Sequence, residues 1–265
     1  MKETVLITGG TSGIGLELAK LFAKDNSRVV VLARDAGELA DTASELKGSF
    51  VADVTTIQKD LFNAESANEV YDELKAKGIQ VDILVNNAGQ GQYGEFVDTD
   101  LQRQLDIIQL NISSLVALTH LYLKDMVARG SGKILNTSSI ASKIPGPWQA
   151  VYHGTKAFVQ SFSEAIRNEV QDKGIVVTAL LPGATDTDFF NKADMTSSKI
   201  VQDPDQLSDP ADVAKDGYDA LMRGDDKVIS GWKNKMQVTM SNITPEELAA
   251  AQMAKQQEPV DKEKK

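Results

Sequence analysis

The sequence has 265 residues, of which 42% are hydrophobic and 25% are charged, and this length suits one large α/β domain. The absence of cysteine excludes disulfides and thiolate chemistry, two histidines are too few for most metal clusters, and a net charge of −10 argues against nucleic-acid binding. Apolar runs are shorter than the roughly 20 residues that cross a bilayer, and a strand pattern begins almost at once. We therefore expect a cytoplasmic protein without a signal peptide, a membrane contact or a metal.

Strand-like runs alternate with helical stretches, which is typical of a parallel sheet with helices on both faces. The predicted strands cover residues 4–8, 28–33, 55–59, 83–86, 133–136, 176–181 and 227–230. The predicted helices include residues 15–23, 68–77, 100–129, 151–172 and 210–223. The fold class is therefore α/β, with a doubly wound sheet of seven mostly parallel strands in a single domain over residues 1–244.

A glycine-rich turn, TGGTSGIG at residues 8–15, follows the first predicted strand and leads directly into a helical pattern. Glycines allow a tight turn and a close approach of a pyrophosphate, while the helix N-terminus offers N–H groups to the anion. This strand–turn–helix context predicts a dinucleotide site. Its expected contacts are Gly9, Thr11, Ser12, Gly13, Ile14 and Gly15.

The end of the second strand bears on the choice between NAD and NADP. NAD-binding sheets of this kind place a carboxylate there to hold the ribose hydroxyls, but this sequence has Ala33 followed by Arg34. A guanidinium pairs well with a 2′-phosphate, and Thr11 or Ser12 would add a hydroxyl contact. The sequence therefore favours NADP(H), while NAD stays open.

Tyr152 and Lys156 are four residues apart in a predicted helix, so their side chains share one face. A tyrosine with a pKa of about 10 transfers protons poorly at neutral pH, and a neighbouring ammonium lowers that pKa. Ser139 supplies a hydroxyl that can hold a carbonyl oxygen. Together with the dinucleotide site, this set indicates proton transfer at a carbonyl.

With Asn86-Asn87-Ala88-Gly89 after the fourth strand, these motifs resemble the short-chain dehydrogenase/reductase family, in its compact single-domain form, over residues 4–235. The resemblance implies a Rossmann-like fold and a catalytic set of Asn111, Ser139, Tyr152 and Lys156. The family spacing of thirteen residues before the tyrosine selects Ser139 rather than Ser138. In the family, the asparagine holds a water that links the lysine to a proton relay.

The resemblance also implies further cofactor contacts. Asp53 and Asp60 compete for the adenine-binding position, and Asp60 is favoured because it ends the third strand, whereas Asp53 precedes a β-branched run. Tyr152 and Lys156 contact the cofactor as well as the substrate. The other implied contacts are Leu61, Asn87, Ala88, Gly89, Pro182, Gly183, Thr185 and Thr187.

Two segments lie outside this motif set. Residues 186–209 are long for a connection and contain Phe189 and Phe190, so they form a candidate substrate lid. With Trp148, these aromatic residues predict an apolar substrate pocket, although ordinary packing explains them equally well. Residues 245–265 begin as a short helix and continue into a charged tail that we expect to be disordered.

The family resemblance implies an NADP(H)-dependent oxidoreductase that transfers hydride reversibly between the nicotinamide and a carbonyl or alcohol. A ketone or aldehyde reductase is the favoured function. An alcohol or hydroxysteroid-type dehydrogenase that runs toward oxidation shares every residue, and a non-catalytic dinucleotide sensor is the remote alternative. The family also implies a homodimer or homotetramer that forms through the two long helices.

Overall fold

The computed structural model describes residues 2–50, 52–202, 206–241 and 244–260. One sheet contains seven strands in the order β3-β2-β1-β4-β5-β6-β7, and every pair of neighbours is parallel. The predicted α/β class and Rossmann-like doubly wound sheet are therefore confirmed. The strands are β1 Thr4–Thr8, β2 Arg28–Ala33, β3 Val54–Gln58, β4 Ile83–Asn86, β5 Gly132–Thr137, β6 Ile175–Leu181 and β7 Lys227–Ile229.

Helices cover both faces of this sheet. Short 3-10 turns at Phe96–Asp98, Ile140–Lys143 and Gln171–Lys173 connect some of the elements. Within the described ranges, every helix is too short or too polar to span a membrane. The helices are α1 Gly13–Lys24, α2 Ala36–Phe50, α3 Ser66–Ala76, α4 Leu101–Ile108, α5 Ser114–Arg129, α6 Ala150–Val170, α7 Phe189–Lys192, α8 Lys199–Gln202, α9 Pro210–Arg223, α10 Trp232–Ser241 and α11 Glu246–Gln257.

Two apolar layers hold the helices on the sheet. Side chains alternate along each strand, so Val5 and Ile7 of β1 face α1, α2 and α9, whereas Leu6 faces α3, α5 and α6. Both faces of the strand are buried, which explains its uninterrupted apolar sequence. The strand order reverses between β1 and β4, and this reversal opens a crevice at the carboxyl ends of the two strands.

The helix predicted over residues 100–129 contains a π-helical turn. α4 passes into this turn at Gln109–Ser113, and α5 then continues to Gly130, whose left-handed backbone ends the helix. An extra residue in one turn re-aims the side chains around it, and π turns concentrate at functional sites. Asn111 lies at the centre of this turn.

The C-terminal segment is more ordered than its composition predicts. Helix α11 buries Ala249, Met253 and Gln257 along one face, and the first two pack against Ile144. Beyond the helix, the N–H of Val260 donates to the carbonyl oxygen of Ser197 at 2.8 Å. The prediction of a disordered tail is therefore wrong for residues 255–260, while residues 261–265 lie outside the described part of the chain.

Leu84 provides a test of the central packing, because it is fully buried in β4. Replacing Leu84 by Ala should lower the free energy of unfolding by about 2–5 kcal/mol, since the lost contacts leave a cavity between sheet and helices. Val97→Ala is the control, because Val97 is 84% exposed, and it should change stability by no more than about 0.5 kcal/mol. Urea unfolding measures both values. Similar losses in the two variants would contradict this account of the core.

Candidate active site

A cavity of about 870 Å³ opens at the carboxyl ends of the central strands. This volume lies in the usual range for ligand sites in proteins. Its walls come from the glycine turn after β1, the ends of β2 and β3, the loops after β4, β5 and β6, and helix α11. The cavity therefore runs from the predicted dinucleotide site to the predicted catalytic residues.

The glycine turn has the shape that an anion requires. Gly9 and Gly13 have φ angles of 64° and 52°, which favour glycine. A Cβ at Gly15 would lie 2.1 Å from the carbonyl oxygen of Gly9, so no larger residue fits there. The Ser12 side chain makes no capping hydrogen bond to α1, which leaves N–H groups of the first turn for a ligand. These features fit the pyrophosphate of a dinucleotide.

The loop after β4 is hydrogen-bonded to the glycine turn. The side-chain amide of Asn87 donates to the carbonyl oxygens of Thr8 and Gly9 at 3.2 and 3.1 Å. In return, the Thr8 hydroxyl oxygen accepts from the backbone N–H groups of Asn87 and Ala88, each at 3.0 Å. Both predicted segments thus form one continuous wall of the cavity, with Gly89 beside them.

Tyr152, Lys156 and Ser139 meet at the inner end of the cavity. Lys156 is 5% exposed, and its Nζ lies 5.7 Å from the centre of the Tyr152 ring. This Nζ donates to the carbonyl oxygen of Thr137 at 2.8 Å. Ser139 lies across from them at the end of β5. The predicted proton donor, cation and hydroxyl are therefore adjacent in three dimensions.

The two adjacent serines have different partners. The Ser138 hydroxyl donates to the backbone carbonyl oxygen of Lys156 at 2.8 Å. The Ser139 hydroxyl accepts from the N–H of Ala141 at 3.1 Å and lies 3.3 Å from the carbonyl oxygen of Pro182. Ser139 also interacts with the Tyr152 phenol. This geometry favours Ser139 as the hydroxyl that faces a substrate, in line with the choice from family spacing.

The pKa values of Tyr152 and Lys156 shift in opposite directions. Desolvation by the surrounding protein raises the pKa of Tyr152 to about 12, and the hydrogen bond with Ser139 lowers it only in part. Burial also lowers the pKa of Lys156 to about 8. Lys156 is not among the causes of the Tyr152 shift, so the lowering of the tyrosine pKa that was expected from the lysine is not found. At neutral pH, Tyr152 is protonated and can donate a proton.

Asn111 lies behind the cavity rather than in its lining. Its side-chain amide donates to the carbonyl oxygen of Gln90 at 2.9 Å and to the Thr155 hydroxyl at 3.0 Å. Its Oδ1 accepts from the N–H of Gln90 at 3.0 Å. A Cβ at Gly89 would lie 3.3 Å from Lys156 Nζ and 3.4 Å from Asn111 Oδ1. Asn111 thus joins the loop after β4 to α6 beside the lysine, while its link to a water relay stays a prediction.

The nucleotide end of the cavity includes Arg34, Asp60 and Leu61. Arg34 is exposed, and its guanidinium lies 5.4 Å from the centre of the Phe62 ring. Asp60 accepts from the N–H of Phe62 at 3.0 Å, close to this guanidinium. The rejected candidate, Asp53, is not part of the cavity lining and instead forms an ion pair with Arg28 at 2.7 Å.

Two carboxylates at the same end of the cavity were missed by the sequence analysis. Asp35 and Glu38 line the wall next to Arg34, and Glu38 accepts a hydrogen bond from the Thr11 hydroxyl at 2.8 Å. Their charge weakens the attraction of this end for a phosphate. The helical pattern that begins at Ala36 was the feature of the sequence from which these two carboxylates could have been predicted. The preference for NADP over NAD therefore stays a prediction.

The loop after β6 closes the opposite wall with Pro182, Gly183, Thr185 and Thr187. The Thr185 hydroxyl donates to the carbonyl oxygen of Gly183 at 3.0 Å, so it is already paired within the loop. A Cβ at Gly13 would lie 2.8 Å from Thr187 Cγ2. Thr187 therefore approaches the glycine turn closely, and only a glycine at residue 13 leaves room between them.

The predicted lid supplies apolar side chains to the inner end of the cavity. Phe189 and Phe190 are part of the lining, and the Phe189 ring centre lies 5.1 Å from that of Tyr152. Trp148 is not part of the lining: its ring stacks on Tyr93 at 5.9 Å. Trp148 packs beneath the lid, so its role as a substrate contact stays a prediction. Residues 203–205 of the lid lie outside the described residues.

Sequence reasoning also missed side chains that close the inner end of the cavity. Gln149 and His153 line it next to Tyr152. Helix α11 adds Met253 and Gln257, whose spacing from Ala249 was an available helical signal. Within the described ranges, no group of three or more His, Asp or Glu residues is placed to hold a metal ion.

The chain is similar to several known proteins. A family model described as short chain dehydrogenase matches residues 3–197. A very-long-chain 3-oxoacyl-CoA reductase of Rattus norvegicus is 34% identical over 189 residues, which are 68% of this chain and 58% of that protein. The match thus covers little more than half of the relative. Dehydrogenase/reductase SDR family member 7B of Danio rerio is 32% identical over 239 residues, or 86% of this chain and 77% of that protein.

A solved structure is similar over most of the chain. It is a short-chain dehydrogenase from Sphingobium yanoikuyae in complex with NADPH. The two share 29% sequence identity with a TM-score of 0.81, over 91% of this chain and 96% of that one. The likeness therefore extends beyond the region that the family model matches.

His153 makes folding stability depend on pH. Burial lowers its pKa, so the unfolded chain, in which a histidine has a pKa of about 6.5, binds this proton more readily than the folded protein does. Stability should therefore fall as the pH drops from about 7.5 to about 5.5. In His153→Gln this fall should be smaller than in the wild type, as measured by urea unfolding across the range. His120→Gln, at an exposed position, should keep the wild-type dependence. An unchanged dependence in His153→Gln would contradict the assignment.

Proposed function

The chain belongs to the short-chain dehydrogenase family, and from this premise we propose that it is an NADP(H)-dependent oxidoreductase that reduces ketones or aldehydes. The proposal rests chiefly on the meeting of Tyr152, Lys156 and Ser139 in a cavity that continues to the glycine turn. The similarity to a protein named as a 3-oxoacyl-CoA reductase supports a ketone substrate. The NADPH in the Sphingobium yanoikuyae structure supports the cofactor.

The proposed chemistry divides the work between cofactor and protein. When bound, the reduced nicotinamide would supply hydride to the carbonyl carbon. Tyr152 donates its phenolic proton to the carbonyl oxygen, because its raised pKa keeps that proton in place until negative charge develops on the oxygen. Ser139 donates a hydrogen bond to the same oxygen. Lys156 then stabilises the phenolate that remains, since its Nζ is 5.7 Å from the ring centre.

The proposed cofactor is bound at two points of the cavity. The glycine turn and the N-terminus of α1 would hold the pyrophosphate, and the absence of a Cβ at Gly15 lets the turn pack against the start of this helix. Arg34 would pair with the 2′-phosphate of NADP. The neighbouring Glu38 is engaged by the Thr11 hydroxyl, which leaves Arg34 as the group best suited to that phosphate. Asp60 and Leu61 would contact the adenine.

A homo-oligomer in the cytoplasm is part of the same proposal. Helix α4 leaves Leu101, Leu105 and Ile108 exposed, and Phe158 of α6 is exposed as well. Exposed apolar side chains on the two predicted interface helices are typical of surfaces that associate. The net charge of −10 gives no support to a membrane or nucleic-acid partner.

Tyr152→Phe tests the proton donor. The substitution removes the phenolic oxygen and keeps the ring, so kcat for ketone reduction should fall by at least about 100-fold. The Kd for NADPH, followed by cofactor fluorescence, should stay within about twofold of the wild type, because the cofactor keeps its other contacts. Tyr71→Phe is the matched control, since Tyr71 lies outside the cavity lining. Turnover at the wild-type rate in Tyr152→Phe would refute the assigned role.

Arg34→Ala tests the cofactor preference. A screen of ketones and aldehydes with NADPH and NADH in parallel gives the ratio of kcat/KM for the two cofactors. Loss of a charge-assisted hydrogen bond of about 1.5–3 kcal/mol should lower this ratio about 10- to 100-fold. Arg223→Ala, an exposed position outside the cavity lining, should leave the ratio unchanged. Equal rates with both cofactors in the wild type would rule out the proposal that Arg34 selects NADP over NAD.

A further inference from the structure

The end of helix α11 closes the cavity through the backbone and side chain of Gln257. Its carbonyl oxygen accepts hydrogen bonds from the Tyr93 hydroxyl and, at 3.1 Å, from the Ser198 hydroxyl. The residue is 3% exposed and its side chain lines the cavity. The backbone carbonyl therefore anchors the helix through hydrogen bonds that do not involve the side-chain amide.

His153 sets the orientation of the Gln257 amide. The Nδ1 of His153 lies 2.7 Å from the carbonyl oxygen of Ile144, and a carbonyl oxygen only accepts, so Nδ1 carries the proton. In the neutral ring, Nε2 is then an acceptor. Gln257 Nε2, which is 3.2 Å away, must donate to it. The same Nε2 donates to Gln149 Oε1 at 3.3 Å.

This arrangement leaves two polar atoms of opposite kind without a protein partner. Gln257 Oε1 is a buried acceptor and Gln149 Nε2 is a buried donor, and neither has a hydrogen bond. Both residues are more than nine-tenths buried, where an unpaired polar group costs free energy. Because the two amides are bonded to each other, the unpaired donor and acceptor belong to one small polar cluster.

The cluster lies beside the reacting groups. A Cβ at Gly91 would lie 3.3 Å from Gln149 Nε2, 3.4 Å from Cδ2 of Tyr152 and 3.0 Å from Cζ of Phe189. The unpaired donor is therefore next to the tyrosine ring and under the apolar lid. A substrate whose carbonyl reaches Tyr152 brings the rest of its chain to this place.

We propose that Gln149 and Gln257 form a substrate-specificity subsite that binds a second polar group of the substrate, a hydroxyl or a secondary amide. Such a group accepts a hydrogen bond from Gln149 Nε2 and donates one to Gln257 Oε1. A hydrocarbon chain satisfies neither atom, and an ether or thioester supplies only an acceptor. The inference rests on the proposed function, because the subsite selects among carbonyl substrates.

Ketones that differ at one position provide the test. ω-Hydroxy-2-alkanones of increasing length are each paired with the 2-alkanone in which methyl replaces hydroxyl, and with the methyl ether, which lacks the donor. For at least one length, kcat/KM for NADPH-dependent reduction by the wild type should be at least about tenfold higher for the hydroxyketone than for either partner. A ratio near unity at every length would overturn the proposal.

Gln257→Leu separates the subsite from the structural role of the helix. The substitution keeps the backbone carbonyl that anchors α11, and it should bring the hydroxyl-to-methyl ratio close to unity, mainly by raising KM for the hydroxyketone. The readout is the ratio of kcat/KM for the two ketones, because loss of the amide also removes its hydrogen bonds to Gln149 and His153 and can lower the rate with plain 2-alkanones. Gln252→Leu, on the exposed side of the same helix, should keep the wild-type ratio. If Gln257→Leu kept the wild-type ratio, with kcat/KM unchanged or lowered equally for both ketones, the proposal would be contradicted.

Binding measurements distinguish the failure of this inference from the failure of the proposed function. Oxidised NADP cannot reduce a ketone, so calorimetry with NADP-saturated protein gives the Kd of each ketone, provided that absorbance shows no NADPH formed by oxidation of the hydroxyl group. The hydroxyketone should bind at least about tenfold tighter than its methyl partner in the wild type but not in Gln257→Leu. Absence of turnover with every carbonyl would refute the proposed function, and this difference in Kd would still decide the subsite.

Discussion

The close contact between the glycine turn after β1 and the loop after β4 positions every other part of the site. A Cβ at Gly15 would lie 2.1 Å from the Gly9 carbonyl oxygen, and the Asn87 side chain bonds that same oxygen at 3.1 Å. From this junction the chain runs to Gln90, which Asn111 holds on both its N–H and its carbonyl oxygen. Asn111 in turn reaches Thr155 of α6. The dinucleotide cradle and the catalytic helix are thus joined by a continuous set of hydrogen bonds.

The electrostatics of the site depend on local groups rather than on overall charge. A protein with a net charge of −10 repels an anionic cofactor at long range. The N-terminus of α1 and the Lys156 ammonium provide positive potential inside the cavity. Desolvation raises the pKa of Tyr152 to about 12, so the phenol keeps its proton at neutral pH, whereas Lys156, whose pKa is lowered to about 8, is still mostly protonated there. In the proposed reaction, the negative charge that develops on the carbonyl oxygen would accept the tyrosine proton, so that proton transfer would accompany hydride transfer.

The substrate end is assembled from residues that are far apart in the chain. Phe189 and Gln149 lie close to Gly91, and Gln257 of the last described helix is hydrogen-bonded to Gln149. The charged composition of the C-terminal segment hid this role, because only one face of α11 is buried. Under the proposed subsite, substrate selection would change through this helix while the glycine turn and the tyrosine remain as they are.

Short-range patterns were enough to predict the parallel sheet, the glycine turn and the pairing of Tyr152 with Lys156, because strand alternation and helical spacing act over a few residues. The selection of Ser139 needed the family spacing as well. Tertiary structure alone decided that Trp148 packs beneath the lid and that α11 reaches the cavity. These contacts join residues up to 164 positions apart, as Tyr93 and Gln257 are. Local spacing carries no information about such pairs, since they form only when the whole core packs.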